Sequence, residues 1–246
     1  MDYQWNWGIL LSPVSTGEPT TYLGWLGTGL LTTIQVSAAG WIIAFFVGSV
    51  LGILRTLPQK WARQIGASYV AIFRNIPLIV QFFIWYFVIP ELLPEAAGNW
   101  YKQLEPNTQF FSSAIICLGL FTAARICEQV RSGIEALPVG QKSAGMALGL
   151  TTFRVYRYVL LPNAYRIIIP PLTSETMNIV KNSAVASVIG LMELSAQARQ
   201  LVDYTAQAYE SFIVVTITYF FLNFMIMIVM QWIETKLRLP GYVGSK

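Results

Sequence analysis

Long stretches without a single charged side chain constrain this chain more than any other feature of its sequence. Residues 19–54, 75–90, 106–124 and 211–233 contain no Asp, Glu, Lys or Arg. A helix needs about 20 predominantly apolar residues to cross the hydrocarbon core of a bilayer. Only 11% of the residues are charged, whereas an ordinary soluble domain has about 25%. The sequence therefore predicts an all-α, polytopic membrane protein.

A further stretch, interrupted by Glu175 and Lys181, is apolar enough to add one more span with polar residues facing inward. The chain is thus predicted to form a single transmembrane domain of residues 1–246 with five transmembrane helices. The predicted spans cover about 23–54, 68–91, 107–134, 167–192 and 211–233. Residues 135–166 form a loop between the third and fourth spans.

The positions of Lys and Arg predict the orientation of these spans. The loops after the first and third spans, together with the C-terminal tail, carry 12 basic and 2 acidic residues. The N-terminus and the remaining loops carry 2 basic and 8 acidic residues. Because cytoplasmic loops are enriched in Lys and Arg, we expect the N-terminus outside the cell and the C-terminus in the cytoplasm.

Several function classes are disfavoured by what the sequence omits. The chain has no His, which excludes His-based acid–base catalysis, catalytic triads and His metal ligands. It has no GxxxxGK[ST] phosphate-binding loop, and its basic residues are too dispersed for a nucleic-acid-binding module. Five spans cannot be divided into two equal inverted halves, which argues against a secondary transporter. No catalytic residue and no metal ligand is predicted.

The loop of residues 135–166 is predicted to form two short helices on the cytoplasmic side. Apolar positions recur at helical spacing around Leu148, a break follows at Gly149, and a second helical stretch runs from about Thr152 to Leu160. Pro138 and Pro162 punctuate the two ends. A compact helix pair of this kind can project into a groove on a partner protein.

The same loop resembles the cytoplasmic motif of ABC importer permeases, which reads EAA, three residues, G, nine residues and I-x-L-P. The matching positions are Ser143-Ala144-Gly145, Gly149, Val159 and Leu161-Pro162. The spacing agrees at every element, although Ser143 stands where the family has Glu.

Three further segments extend the resemblance to the permeases for polar amino acids, such as histidine, glutamine and glutamate. They are FRNIPLIVQFF (73–83), EQVRSGIEALPVGQ (128–141) and MNIVKNSAVASVIG (177–190). The segment LFTAARICEQVR (120–131) is most similar to the glutamate/aspartate importers of proteobacteria. Together these motifs cover roughly residues 20–235.

The resemblance implies a membrane subunit of an ATP-driven importer in the bacterial inner membrane that works by alternating access. Its implied partners are an ABC ATPase dimer, a second and homologous permease subunit, a periplasmic amino-acid-binding protein and the lipid bilayer. The resemblance also implies that the chain itself binds no cofactor, because ATP and Mg are used by the partner ATPase. The residues expected to couple the permease to the ATPase are Gln141, Ser143, Ala144, Gly145, Gly149, Leu161 and Pro162.

Charges inside the spans indicate the substrate. Relative to permeases for other amino acids, Arg125 adds a cation and Asn182 replaces an anion, which suits an acidic amino acid. We hypothesise that Arg125 holds a carboxylate of glutamate or aspartate through its guanidinium fork. Polar contacts to the substrate are assigned to Gln81, Gln129, Asn178, Asn182 and Ser183.

The sequence leaves alternatives open at these positions. Arg125 can instead pair internally with Glu128 or Glu175, or extend toward the membrane interface. Arg74 is more simply a marker of the cytoplasmic interface, with Pro77 in the first turn of a helix or at a kink. Another polar amino acid, such as glutamine or histidine, remains the alternative substrate.

Overall fold

The structure, a computed structural model, describes residues 3–237. Within them the only extended pairing is an isolated bridge between Pro13 and Thr21, so the all-α prediction is confirmed. A short 3-10 helix, Trp7–Leu11, precedes the main helices. These are α1 (Tyr22–Thr56), α2 (Lys60–Asn75), α3 (Leu78–Leu92), α4 (Glu95–Lys102), α5 (Pro106–Glu135), α6 (Val139–Ala147), α7 (Thr152–Ile189), α8 (Leu194–Thr205) and α9 (Ala208–Leu237).

Three of these helices, α1, α5 and α9, are long and apolar enough to cross a membrane alone. They cover the spans predicted at 23–54, 107–134 and 211–233. Two helix pairs separated by short breaks, α2 with α3 and α7 with α8, bring the number to five if each pair is one span. In α9 only 6% of the apolar window is buried by the chain itself. Such an uncovered apolar helix is typical of a surface that faces lipid or another subunit.

The second span is not the continuous helix over 68–91 that the sequence predicted. α2 ends at Asn75, Ile76 is extended with φ −96° and ψ 127°, and α3 begins at Leu78. Pro77 explains the break, because the residue before a proline avoids the helical region. The structure therefore places Pro77 at a break between two helices.

The fourth span also differs from its prediction over 167–192, because α7 begins at Thr152 and continues past Pro162. The expectation that Pro162 punctuates a helix end is wrong. A π turn at Tyr156–Leu160 widens the backbone directly before the proline. The wider turn lets the helix continue although Pro162 has no N–H to donate and carries a bulky ring.

Contacts between residues divide the described chain into two compact units. Helices α1, α5, α7 and α9 contribute residues to both. Unit 1 consists of residues 3–41, Pro77–Leu118 and Ile179–Phe224, and unit 2 consists of Ile42–Ile76, Gly119–Asn178 and 225–237.

Unit 1 is organised around the start of α8. Leu194, Ala198 and Leu201 of this helix are buried with apolar residues from the beginning of α1 and with Val215 of α9. The buried Glu193 caps α8, since its carboxylate accepts hydrogen bonds from the backbone of Ser195 and Ala196 and from the hydroxyl of Tyr219. Every oxygen of this buried carboxylate is therefore satisfied within the fold.

Unit 2 is built on close contact between α1 and α5. A Cβ added at Gly48 would lie 2.8 Å from the carbonyl oxygen of Ala123, and one added at Gly52 would lie 2.8 Å from that of Cys127. Only glycine permits two helix backbones to approach this closely. Buried residues of α5 then pack with the first half of α7 in one apolar cluster that includes Ile126, Val130, Ile134, Leu160, Ala164 and Ile168.

Candidate functional site

Unit 2 contains a cavity of about 430 Å³ with a strongly polar lining. Helix α2 contributes its last turn, α5 contributes one face, and α7 contributes a single carboxylate. The lining residues are Arg74, Phe121, Arg125, Glu128, Gln129 and Glu175. Charged side chains within membrane spans are costly and mark functional sites by default, so this cavity is the candidate substrate site.

Arg125 is one of the lining residues, and its contacts are long. Its guanidinium carbon is 5.0 Å from the centre of the Phe121 ring, and its Nη1 atom is 3.6 Å from Oε2 of Glu175. The latter distance is too long for a hydrogen bond, and 37% of the Arg125 side chain stays exposed. The internal pairing with Glu175, kept open by the sequence, is therefore present, but the guanidinium remains accessible.

Gln129 shares a helix face with Arg125 because the two residues are one turn apart on α5. Its Nε2 atom donates to Oε1 of Glu175 and to the carbonyl oxygen of Pro171, each at 3.4 Å. Asn178 follows Glu175 by one turn on α7, and its side chain contacts the same carboxylate. The structure thus brings Arg125, Gln129 and Asn178 together around Glu175.

Glu128 also lines the cavity, but its carboxylate already has partners. Arg55 of α1 donates to one oxygen, and Nε of Arg131 donates to the other at 2.9 Å. Arg131 pairs in addition with Glu135. The alternative in which Arg125 pairs with Glu128 is therefore not what the structure shows.

The other predicted substrate residues belong to unit 1. Ser183 is fully buried, and its hydroxyl donates to the carbonyl oxygen of Val180 at 2.8 Å. Gln81 is almost fully buried on α3, and this helix packs against the last turns of α7. Asn182 is half-buried beside Ser183. The structure consequently groups the six predicted residues into two sets, three in each unit.

The predicted coupling loop forms an elbow, a name used here for residues 139–155. The amide of Gly149 donates to the carbonyl oxygen of Met146 at 3.0 Å, and the amide of Leu150 donates to that of Gly145 at 3.1 Å. These two bonds form a Schellman motif, which ends a helix at a residue with left-handed backbone. Gly149 has a φ of +82°, so the turn predicted at this glycine is present.

The remaining coupling residues surround this turn. Gly145 is buried because α6 lies against Val155, which a Cβ at position 145 would approach to 3.1 Å. Leu161 packs on the apolar cluster of unit 2, and Pro162 is exposed. On α6 itself, Gln141 is half-buried, whereas Ser143 and Ala144 are exposed.

The elbow also exposes large apolar side chains that the motif did not single out. Val139 and Leu148 are more than 80% exposed, Phe153 is 70% exposed and Met146 is 52% exposed. Apolar residues concentrated on one small surface indicate a protein-binding face. Their signal in the sequence is the presence of large apolar residues, Leu and Phe among them, in a segment predicted to lie in the cytoplasm.

Two residues of the cavity were given another role or none by the sequence. Arg74 was interpreted as an interface marker, although its side chain lines the cavity. Glu175 received no firm role, although it lies between Arg125 and Gln129. The helix break at Pro77 and the packing of α5 on α7 decide where these two side chains lie. Spacing along the chain shows neither the break nor the packing.

These features define a membrane permease subunit, and known proteins identify its family. The family model described as "Binding-protein-dependent transport system inner membrane component" matches residues 44–239. The chain belongs to this family.

Similar proteins narrow the likeness within the family. The chain is 59% identical over 247 residues, covering 100% of both sequences, to the glutamate/aspartate import permease protein GltJ of Escherichia coli (strain K12). It is 31% identical to the arginine transport system permease protein ArtQ of Bacillus subtilis (strain 168), over 85% of this chain and 91% of that protein.

Solved structures agree on the fold. A crystal structure of an amino acid ABC transporter with histidines matches with a TM-score of 0.71 at 25% identity, covering 87% of this chain and 95% of that one. An inward-facing structure of the methionine ABC transporter MetNI matches with a TM-score of 0.73 at 21% identity, over 88% and 98%. The latter likeness concerns the fold alone.

Proposed function

We propose that this chain is a membrane subunit of an ATP-driven, binding-protein-dependent importer that moves glutamate and aspartate across the bacterial inner membrane by alternating access. The observation that carries the proposal is the accessible guanidinium of Arg125 in the cavity of unit 2. The full-length similarity to a glutamate/aspartate import permease supports the same substrate class.

The chemistry of the cavity favours an acidic substrate. A guanidinium presents a planar fork of donors that matches the two oxygens of a carboxylate. Because Arg125 has no hydrogen bond to Glu175 at 3.6 Å, a substrate carboxylate can bind it without first breaking a strong internal pair. Glutamine and histidine lack the second carboxylate, and they are the alternative substrates that the test below discriminates.

The elbow supports an ATPase partner. Its exposed apolar side chains, such as Leu148 and Phe153, form a compact surface that suits a groove on another protein. In this proposal an ABC ATPase dimer binds the elbow of each permease subunit and supplies the ATP and Mg chemistry. Closure of that dimer moves the two elbows together, and the helices above them open the cavity to the outside.

The distribution of charge between the units supports the proposed orientation. Among the described residues, unit 1 carries seven acidic and three basic residues, and unit 2 carries four acidic and eleven basic ones. The elbow belongs to the basic unit, as the positive-inside rule requires of a cytoplasmic segment. We therefore keep the N-terminus periplasmic and the C-terminus cytoplasmic. Asp2, Arg238 and Lys246, which entered the sequence count, lie outside the described residues.

The substrate assignment is tested by uptake. The complete importer is expressed with its ATPase, a second and homologous permease, and a periplasmic amino-acid-binding protein, in a strain that lacks other acidic amino-acid importers. Arg125→Ala is expected to lower uptake of radiolabelled glutamate by about tenfold or more, because it removes a charge-assisted hydrogen bond. Excess unlabelled aspartate should compete with glutamate, whereas glutamine and histidine should not.

Arg166→Ala is the matched control, since Arg166 is an exposed arginine of unit 2 that does not line the cavity. This variant should largely retain glutamate uptake. Co-purification with the ATPase establishes that both variants assemble. Full glutamate uptake by an assembled Arg125→Ala importer would contradict the proposal, and so would equal competition by glutamine.

A further inference from the structure

The charged groups of the unit 2 cavity are opposite in sign, one by one, to those of a dicarboxylic amino acid. Arg74 and Arg125 supply two cations and Glu175 supplies one anion. The fourth ionisable group, Glu128, is already bound by Arg55 and Arg131. Glutamate and aspartate carry two carboxylates and one ammonium group at neutral pH.

We propose that Arg125 and Arg74 each bind one carboxylate of the substrate and that Glu175, with Gln129, binds its ammonium group. This inference rests on the proposed function and deepens it, because it assigns a protein group to each charge of the substrate. It gives Arg74 and Glu175 specificity-determining roles that neither the sequence motifs nor the similar proteins assign.

Two buried acceptor atoms support the position of the ammonium group. Within the described residues, Oε2 of Glu175 and Oε1 of Gln129 have no hydrogen-bond partner within 3.5 Å, although both atoms are buried. The Glu175 residue is 9% exposed, and beyond the amide of Gln129 its carboxylate has only longer contacts, with Asn178 and with Nη1 of Arg125 at 3.6 Å. Buried acceptors are almost always paired in folded proteins. An ammonium group has three N–H donors, so one ligand can satisfy both oxygens.

The guanidinium of Arg74 is available for a second carboxylate. In residues 3–237 no Asp or Glu oxygen lies within 4.0 Å of it, whereas Arg55, Arg125 and Arg131 each have such a partner. Arg74 is exposed and lines the same cavity as Glu175. A ligand without a second carboxylate would leave this cation without a partner, so Arg74 provides a reason for the importer to prefer glutamate over glutamine.

The test measures ligand binding by the complete transporter in lipid nanodiscs with the binding protein omitted, because the binding protein makes its own selection. Displacement of radiolabelled glutamate is measured with unlabelled glutamate, with glutarate and with glutamine. Glutarate lacks the ammonium group but keeps both carboxylates, and glutamine lacks the second carboxylate. Wild-type transporter should bind both analogues about tenfold or more weakly than glutamate.

Glu175→Gln should weaken the binding of glutamate about tenfold or more and leave the binding of glutarate unchanged or improved. Arg74→Gln should weaken the binding of glutamate to the level of glutamine and leave the binding of glutamine unchanged. The matched controls are Glu135→Gln, on α5 outside the cavity, and Arg63→Gln, on the same helix as Arg74. Both should bind all three ligands as wild type does.

Equal weakening of glutamate and glutarate by Glu175→Gln would overturn the ammonium assignment. Equal weakening of glutamate and glutamine by Arg74→Gln would overturn the carboxylate assignment. A transporter that imports glutamate in cells but shows no displacement in nanodiscs would overturn the whole three-group site while leaving the proposed function intact. Should the amide variants fail to assemble, Glu175→Ala and Arg74→Ala replace them, and the same ligand ratios decide.

Discussion

Gly149 provides the sharpest test of how the elbow transmits motion. Its φ of +82° lies in the left-handed region, where a residue with a Cβ is strained by about 1–2 kcal/mol. Apart from its two chain neighbours, no residue between 3 and 237 has an atom within 4 Å of the position that a Cβ would occupy. Substitution at this position therefore adds backbone strain without adding a steric clash, so the effect of strain can be measured alone.

The magnitude follows from what holds the turn. Two backbone hydrogen bonds, at 3.0 and 3.1 Å, contribute about 0.5–1.5 kcal/mol each. A strain of about 1–2 kcal/mol is of the same size, and it raises the ratio of distorted to native elbows by about 5- to 30-fold. Asn tolerates left-handed backbone better than Ala, and a β-branched residue tolerates it least. The expected order of damage is therefore Asn, then Ala, then Val.

The assay measures the ATP hydrolysed per glutamate transported by the complete importer in proteoliposomes. This ratio should stay near the wild-type value for Gly149→Asn, rise for Gly149→Ala and rise most for Gly149→Val. Gly140→Ala is the matched control, because Gly140 lies within α6 and has no left-handed backbone, and a Cβ there would meet no other part of the described chain within 4 Å. If the Gly149→Val importer hydrolyses no more ATP per transported glutamate than the Gly149→Asn importer, the turn at Gly149 does not transmit motion from the ATPase to the permease.

Three further substitutions test the packing and the docking surface. Leu148→Ser should reduce co-purification of the ATPase without lowering the Tm of the permease, because this side chain is 83% exposed; a lower Tm would instead indicate a structural role. Gly48→Ala should lower the Tm, since its Cβ would lie 2.8 Å from a carbonyl oxygen of α5, whereas Gly27→Ala, with open space, should not. Thr33→Val should destabilise the protein by about 1–3 kcal/mol, because the amide of Leu194 loses its buried acceptor at 3.2 Å. An unchanged unfolding transition would contradict that reasoning.

The features that the sequence predicts correctly are those that one local requirement dictates. Spans α1, α5 and α9 follow from the length of apolar chain that a bilayer demands. The turn at Gly149 follows from the residue type that left-handed backbone demands. At Pro162 a local rule fails, because a preceding π turn accommodates the proline within a continuous helix.

The pairing of charges between helices could not be predicted, because helix packing decides it. Glu128 lies three residues from both Arg125 and Arg131 and pairs with Arg131, yet its second partner is Arg55, which lies 73 residues earlier in the chain. The close approach of α1 to α5 at Gly48 places that arginine within reach. Sequence spacing can show which residues share a helix face, but not which face of another helix lies opposite.

The two carboxylates of the cavity show how one fold separates structural charges from exchangeable ones. Both oxygens of Glu128 accept charge-assisted bonds, so exchanging its partners is costly in a region of low dielectric. This network joins α1 to α5 and fixes one wall of the cavity. Glu175 instead has one oxygen bonded at 3.4 Å and another without a donor. A transported ligand must bind and then leave, so the weakly satisfied carboxylate, and not the saturated one, is the group suited to exchange its partner in each cycle.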